Sequence, residues 1–131
     1  MIYRLITNNP LLIGITVDPA IDVCFIEGSV QEILAEVISM FQIGGWELAA
    51  DPMGGRRARP FPVLTVIMKH TAIPYFKETD IRRIEDYKQL DHDRKSRYQN
   101  CSSALLNDYR ILDKSLTETA ICSILQHISI V

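Results

Sequence analysis

Val23-Cys24-Phe25-Ile26-Glu27-Gly28-Ser29-Val30-Gln31-Glu32-Ile33-Leu34-Ala35-Glu36-Val37-Ile38-Ser39-Met40-Phe41-Gln42-Ile43-Gly44-Gly45-Trp46-Glu47-Leu48-Ala49-Ala50 reads as strand, helix, strand, and this passage decides the fold class. Residues 23–26 are short and wholly apolar, as strands covered on both faces tend to be. Ser29 followed by Glu32 is the spacing of a capping box, in which each residue's side chain bonds the other's backbone N–H. Val30, Ile33, Leu34, Val37, Ile38 and Phe41 recur at three- and four-residue steps, the stripe of a core-facing helix. Gly44-Gly45 stops that helix, because glycine accepts the left-handed backbone that closes a helix end. Residues 46–50 then read as a further strand. A β–helix–β passage of this kind is expected to be a right-handed crossover between parallel strands.

Toward the amino end, residues 3–7 form another short apolar run, broken by Asn8-Asn9-Pro10. Asn9 suits a helix cap and Pro10 the first helical position, so one short helical turn is expected before Gly14. Asp18-Pro19 marks a further turn. If the first strand runs parallel to the next two, three connections share one edge of the sheet: 7–9, 27–29 and 51–59. Open α/β sheets bind ligands outside the carboxyl ends of their strands.

Toward the carboxyl end comes Asp51-Pro52-Met53-Gly54-Gly55-Arg56-Arg57-Ala58-Arg59-Pro60-Phe61-Pro62, with three of the six prolines and two of the six glycines. Residues 63–68 read as a fourth strand. No helix fits between the third and fourth strands, so an antiparallel pair is expected there. After Pro74 a helical pattern runs from 79 to about 112, with an almost wholly polar middle at 91–97 that reads either as a solvated bridge or as a break. Ser115 with Glu118 looks like a second capping box opening a last helix. That helix carries Leu116, Ala120, Ile121, Ile124, Leu125 and Ile128, a stripe suited to packing on the sheet or to a dimer contact. The fold expected is α/β: a small mixed, mainly parallel sheet of about four strands with flanking helices and a helical C-terminal extension. It forms a single domain over 1–131, with 1–74 making the sheet and 75–131 packing on it.

The length of 131 residues fits one domain with a real core. An apolar fraction of 47% and a charged fraction of 23% are ordinary for a soluble globular protein. At a net charge of −2 there is no global basic field to hold nucleic acid or an anionic membrane. The run from Arg82 to Arg97 mixes six basic with four acidic residues and reads as a solvated helix face. Three scattered cysteines, Cys24, Cys101 and Cys122, exclude a disulfide framework and a cysteine zinc site, and favour a cytoplasmic location. No window approaches the apolar length of a membrane span. His70, His92 and His127 do not cluster, and no metal-ligand spacing, P-loop, dinucleotide fingerprint or complete catalytic triad occurs. No cofactor or metal is therefore expected.

A connection of this length is uncommon in compact domains and is usually functional or disordered. Arg56, Arg57 and Arg59 suit bidentate capture of phosphate or carboxylate, and the N–H groups around Gly54 add an anion nest. Asn8, Asn9 and Ser29 would orient the site. Glu27 and Asp51 would sit on the same edge, where a carboxylate pair can serve proton transfer.

Ile6-Thr7-Asn8-Asn9-Pro10, Phe25-Ile26-Glu27-Gly28-Ser29, residues 37–41 before Gly44-Gly45, and Asp51-Pro52-Met53-Gly54-Gly55 together resemble the GrdX family, over roughly residues 3–68. Those are small proteins encoded with the glycine, sarcosine and betaine reductase systems of anaerobic bacteria. Asp51 departs from the family pattern, which has a histidine there, and Arg59-Pro60 stands near the pattern's lysine-proline pair. The resemblance implies an accessory role in amino-acid reduction, with a reductase subunit as partner, and implies no mechanism. Three readings follow. The first is a non-catalytic protein that binds an anionic small molecule or partner at the sheet edge. The second is an enzyme acting on a phosphate- or carboxylate-bearing metabolite, with Glu27 or Asp51 as general base. The third is an interaction module, with a homodimer compatible with any of them.

Overall fold

A computed structural model describes residues 3–14, 19–50, 62–72, 78–94 and 101–129, with side chains given for all of these except 94 and 127–129. The elements run β1 (Tyr3–Thr7), a 3-10 turn (Pro10–Leu12), β2 (Ile21–Phe25), α1 (Val30–Ile43), β3 (Trp46–Leu48), β4 (Thr65–His70), α2 (Glu78–Arg94) and α3 (Ser103–Ser129).

The four strands lie in the order β2-β1-β4-β3. β1 pairs with β2 in parallel, Tyr3 beside Ile21 and Thr7 beside Phe25. β1–β4 and β3–β4 are antiparallel. The sheet is therefore mixed, not mainly parallel as the sequence reading had it. The reason lies in the helix-free link expected between the third and fourth strands. It returns β4 antiparallel to β3, and β4 then inserts beside β1 rather than at an edge. β1, β2 and β3 still point the same way, so the passage through α1 does join parallel strands. These strands occupy opposite edges of the sheet instead of neighbouring positions.

Strand residues alternate between two covered faces. On one side Ile6, Val66 and Met68 pack with Val30, Ile33, Leu34, Val37, Met40 and Phe41 of α1 and with Ile84 and Tyr87 of α2. On the other side Tyr3, Leu5 and Ile67 pack with Ile121, and Ile124 and Leu125 close in beside it. Both faces being covered explains why Leu5-Ile6 in β1 and Val66-Ile67-Met68 in β4 are apolar at consecutive rather than alternate positions. Ser29 caps α1 in a complete capping box with Glu32, and Gly44 and Gly45 end the helix at φ 88° and 81°. α2 is fastened by polar contacts at both ends. Asp80 accepts from the Leu48 N–H at 3.0 Å, and Gln31 Nε2 donates to Asp91 at 2.7 Å.

Cys101 and Ser102 are not helical, and Ser102 Oγ accepts from the Leu105 N–H at 3.1 Å to start α3. The expected helical pattern from 79 to 112 thus belongs to two helices, and residues 95–100 lie outside the description. Ser115, expected to open the last helix, sits within α3 instead. A cap needs non-helical backbone at the serine. Here the buried positions Asp113, Thr117 and Ile121 continue the helical period straight through it. Among the described residues no helix is long and apolar enough to cross a membrane.

Candidate functional site at the carboxyl edge of the sheet

Because β1, β2 and β3 run in one direction, their carboxyl ends share an edge, and β4 begins there. Asn8 ties that edge together. Its Oδ1 accepts from the Leu64 N–H at 2.8 Å. Its Nδ2 donates to the Gly28 carbonyl at 2.9 Å and to the Pro62 carbonyl at 3.3 Å. One side chain thus joins the end of β1, the head of α1 and the segment leading into β4. The two residues that bound the arginine-bearing stretch, Ala50 and Pro62, both stand at this edge. Ala49 donates its N–H to Ile67 at 2.9 Å, fixing the end of β3 beside the start of β4.

Asn9 does separate work beneath the edge. Fully buried, it caps the 3-10 turn through Oδ1 to the Leu11 N–H at 3.1 Å. Its Nδ2 donates to the Arg110 carbonyl at 2.9 Å and to Asp113 Oδ2 at 3.0 Å. The Asn9 N–H donates to Thr7 Oγ1 at 2.9 Å, Thr7 and Thr65 hydroxyls meet at 2.8 Å, and Thr65 Oγ1 donates to Asp113 Oδ2 at 2.7 Å. A hydroxyl has a single proton, and Thr65 gives its own to Asp113. Thr7 must therefore donate to Thr65, and the chain of donors runs from Asn9 through both threonines to the carboxylate. Such chains polarise one another and hold their members in one arrangement. This one fastens the amino half of α3 to the sheet edge.

Ser29 and Glu27 are exposed on the same edge, with Gly28 between them. Ser29 Oγ accepts from the Glu32 N–H and Glu32 Oε2 accepts from the Ser29 N–H, each at 3.3 Å. A Cβ at Gly28 would collide with the Glu32 carboxylate, so glycine there lets the box close. Asp51, Gly54, Arg56, Arg57 and Arg59 lie outside the described residues. The structure therefore brings together Asn8, Asn9, Glu27 and Ser29 of the expected set. The amides of both asparagines are engaged within the protein.

Sequence reasoning missed Thr65, Arg110 and Asp113. Asp113 stands 104 residues from Asn9, and its one sequence signal is a carboxylate on the buried stripe that continues as Thr117 and Ile121. Arg110 buries its Nε with no hydrogen-bond partner among the described residues. Among the described residues no group of His, Cys, Asp and Glu side chains is placed to hold a metal ion.

No curated protein and no solved structure matches the chain. A profile of the GrdX-like proteins matches residues 4–122, well beyond residues 3–68, over which the quoted motifs carry the resemblance, and through most of α3. Most of the sheet edge, the capped helix and the Asp113 network fall inside that span, and the chain belongs to the GrdX-like protein family.

Proposed function

We propose that this protein is an accessory component of an amino-acid reductase system that holds an anionic small molecule, or an anionic group of a partner, at the carboxyl edge of its sheet. One observation carries the reading: Asn8 binds Gly28, Pro62 and Leu64 at once, so three chain segments meet at this edge. The described residues flanking the stretch that bears Arg56, Arg57 and Arg59 are Ala50, just past β3, and Pro62, whose carbonyl Asn8 holds. Guanidinium groups match carboxylate and phosphate oxygens in pairs, and glycine N–H groups around Gly54 add neutral donors. Asn8, Asn9 and Ser29 build and orient the edge, and the arginines hold the charge.

A thermal-shift screen against phosphorylated metabolites, nucleotides and amino acids tests this. A ligand at 100 times its Kd stabilises the fold by about 2.7 kcal/mol. Arg56→Ala with Arg57→Ala is expected to abolish that shift while changing stability by no more than about 0.5 kcal/mol. A panel without a hit, or a hit that survives in the double variant, overturns the reading. Glu27→Gln or Asp51→Asn that stops a turnover without weakening binding would instead make the protein an enzyme.

A further inference from the structure

The sheet has two edges, and the fold treats them differently. β3 is three residues long, and its outward Leu48 N–H is taken by Asp80 of α2. β2 is five residues, Ile21-Asp22-Val23-Cys24-Phe25, and no described strand lies beyond it. Native edges are commonly blunted by lysine, proline, a bulge or a covering element. β2 has neither lysine nor proline, and its register with β1 runs without a bulge. Its single charge, Asp22, is matched by Arg4 Nε at 3.2 Å.

The ladder with β1 shows which backbone groups of β2 face away from it. Tyr3 donates to the Ala20 carbonyl at 2.9 Å, and Ile26 donates to the Thr7 carbonyl at 2.8 Å. In a parallel pair alternate residues of a strand bond a given neighbour. The even-numbered residues of β2 therefore face β1, and the N–H and C=O groups of Ile21, Val23 and Phe25 face away from it.

We propose that β2 pairs with β2 of a second copy of this chain, antiparallel and with Val23 of both copies on the twofold axis. In that register Ile21 stands opposite Phe25 in both directions, and every outward donor meets an outward acceptor. Asp22 falls opposite Cys24 rather than opposite another Asp22, so no like charges face each other. The paired residues are β-branched and aromatic, the types that favour cross-strand contact. Ile21 and Val23 already pack toward Ile121 on the α3 side, so the apolar layer continues across the axis. The result is one sheet through both copies, with the two carboxyl edges facing opposite ways. This pairing goes beyond the ligand reading, and neither depends on the other.

Sedimentation velocity over a wide concentration range is expected to show a dimer. Amide exchange is expected to show Ile21, Val23 and Phe25 protected in step with dimer formation, and Asp22, Cys24 and Ile26 protected at every concentration. Val23→Pro leaves the β1–β2 ladder its bonds, because the Val23 N–H faces outward, and is expected to give a folded monomer. Non-bonded antiparallel pairs stand about 4.5 Å apart at Cα, within disulfide reach. With Cys101→Ser and Cys122→Ser in place, Asp22→Cys is therefore expected to cross-link to Cys24 of the second copy on mild oxidation. Exchange of the wild-type chain and this cross-link decide the matter even if Val23→Pro fails to fold. A monomer at all concentrations overturns the proposal. So does a dimer in which the three outward amides exchange freely or the cross-link does not form.

Discussion

Asn8 and Asn9 are neighbours of one residue type with different costs of removal. Asn9 is fully buried and serves Leu11, Arg110 and Asp113. Asn9→Ala strips one donor from a buried carboxylate and leaves the Leu11 N–H without its acceptor. Each buried group left unsatisfied costs about 1–3 kcal/mol, so a loss of about 3 kcal/mol is expected in denaturant unfolding. Asn8 is half-exposed, water can replace its bonds, and Asn8→Ala is expected to cost about 1 kcal/mol. Equal losses for the two would contradict the buried network around Asp113. Cys24 offers a second test at this scale. Burial pushes its thiol above the ordinary range, Glu36 and Asp22 add to the rise, and Arg4 opposes it. The thiolate is the reactive form. Alkylation at Cys24 is therefore expected to stay slow at neutral pH and to climb only in alkaline solution, while the exposed Cys122 reacts first. Arg4→Ala removes the one opposing charge and is expected to slow Cys24 further. Equal rates for the two thiols at neutral pH would count against its burial.

The two capping-box patterns show what a local signal can decide at the level of one element. Ser29 and Ser115 have the same spacing to a glutamate, and both read as helix starts. At Ser29 the preceding strand ends and Gly28 leaves room for the Glu32 carboxylate, so the box closes. At Ser115 the backbone is helical on both sides, the Ser115 carbonyl accepts from Thr119, and Glu118 pairs with Lys114 instead. The difference is set by the buried stripe of α3, a contact pattern that four residues cannot report. Ser29→Ala is expected to lower stability by about 1 kcal/mol. Ser115→Ala is expected to leave stability unchanged or raise it slightly, because alanine favours a helix interior. Thermal unfolding of the two variants side by side checks both, and a loss at Ser115 would restore the break in α3. The strand directions follow the same logic. β1 joins β2 and β4 through hydrogen bonds between distant segments, and neither neighbour is written in the pattern of residues 3–7. Short apolar runs, caps and glycine stops were legible because each is settled within a few residues. The place of β4 beside β1 was not, since pairing partners are chosen across the whole chain.

At the scale of the molecule, the question is whether α3 is an appendage or half of the core. The stripe of Ile121, Ile124 and Leu125 suited either a docking face or the sheet when only its period was known. The structure packs it on Tyr3, Leu5 and Ile67, on the face that α1 leaves bare. The family match through residue 122 is consistent with that, since it takes in Ile121 along with the sheet. Replacing Ile121 therefore probes folding and cannot serve as a surface test of partner docking. Ile121 is 2% exposed, and Ile121→Ala is expected to cost about 2–5 kcal/mol, the range for emptying a packed core site. Ile111 lies on the same helix at 53% exposure, and Ile111→Ala is expected to change stability by no more than about 0.5 kcal/mol. The loss at Ile121 should also appear on the far side of the sheet, because β1 and β4 carry side chains to both layers. Amide exchange in α1 is expected to quicken in Ile121→Ala along with exchange in α3. If α3 were only docked, the variant would loosen α3 and leave α1 as protected as before, and the two-layer core described for this fold would be wrong.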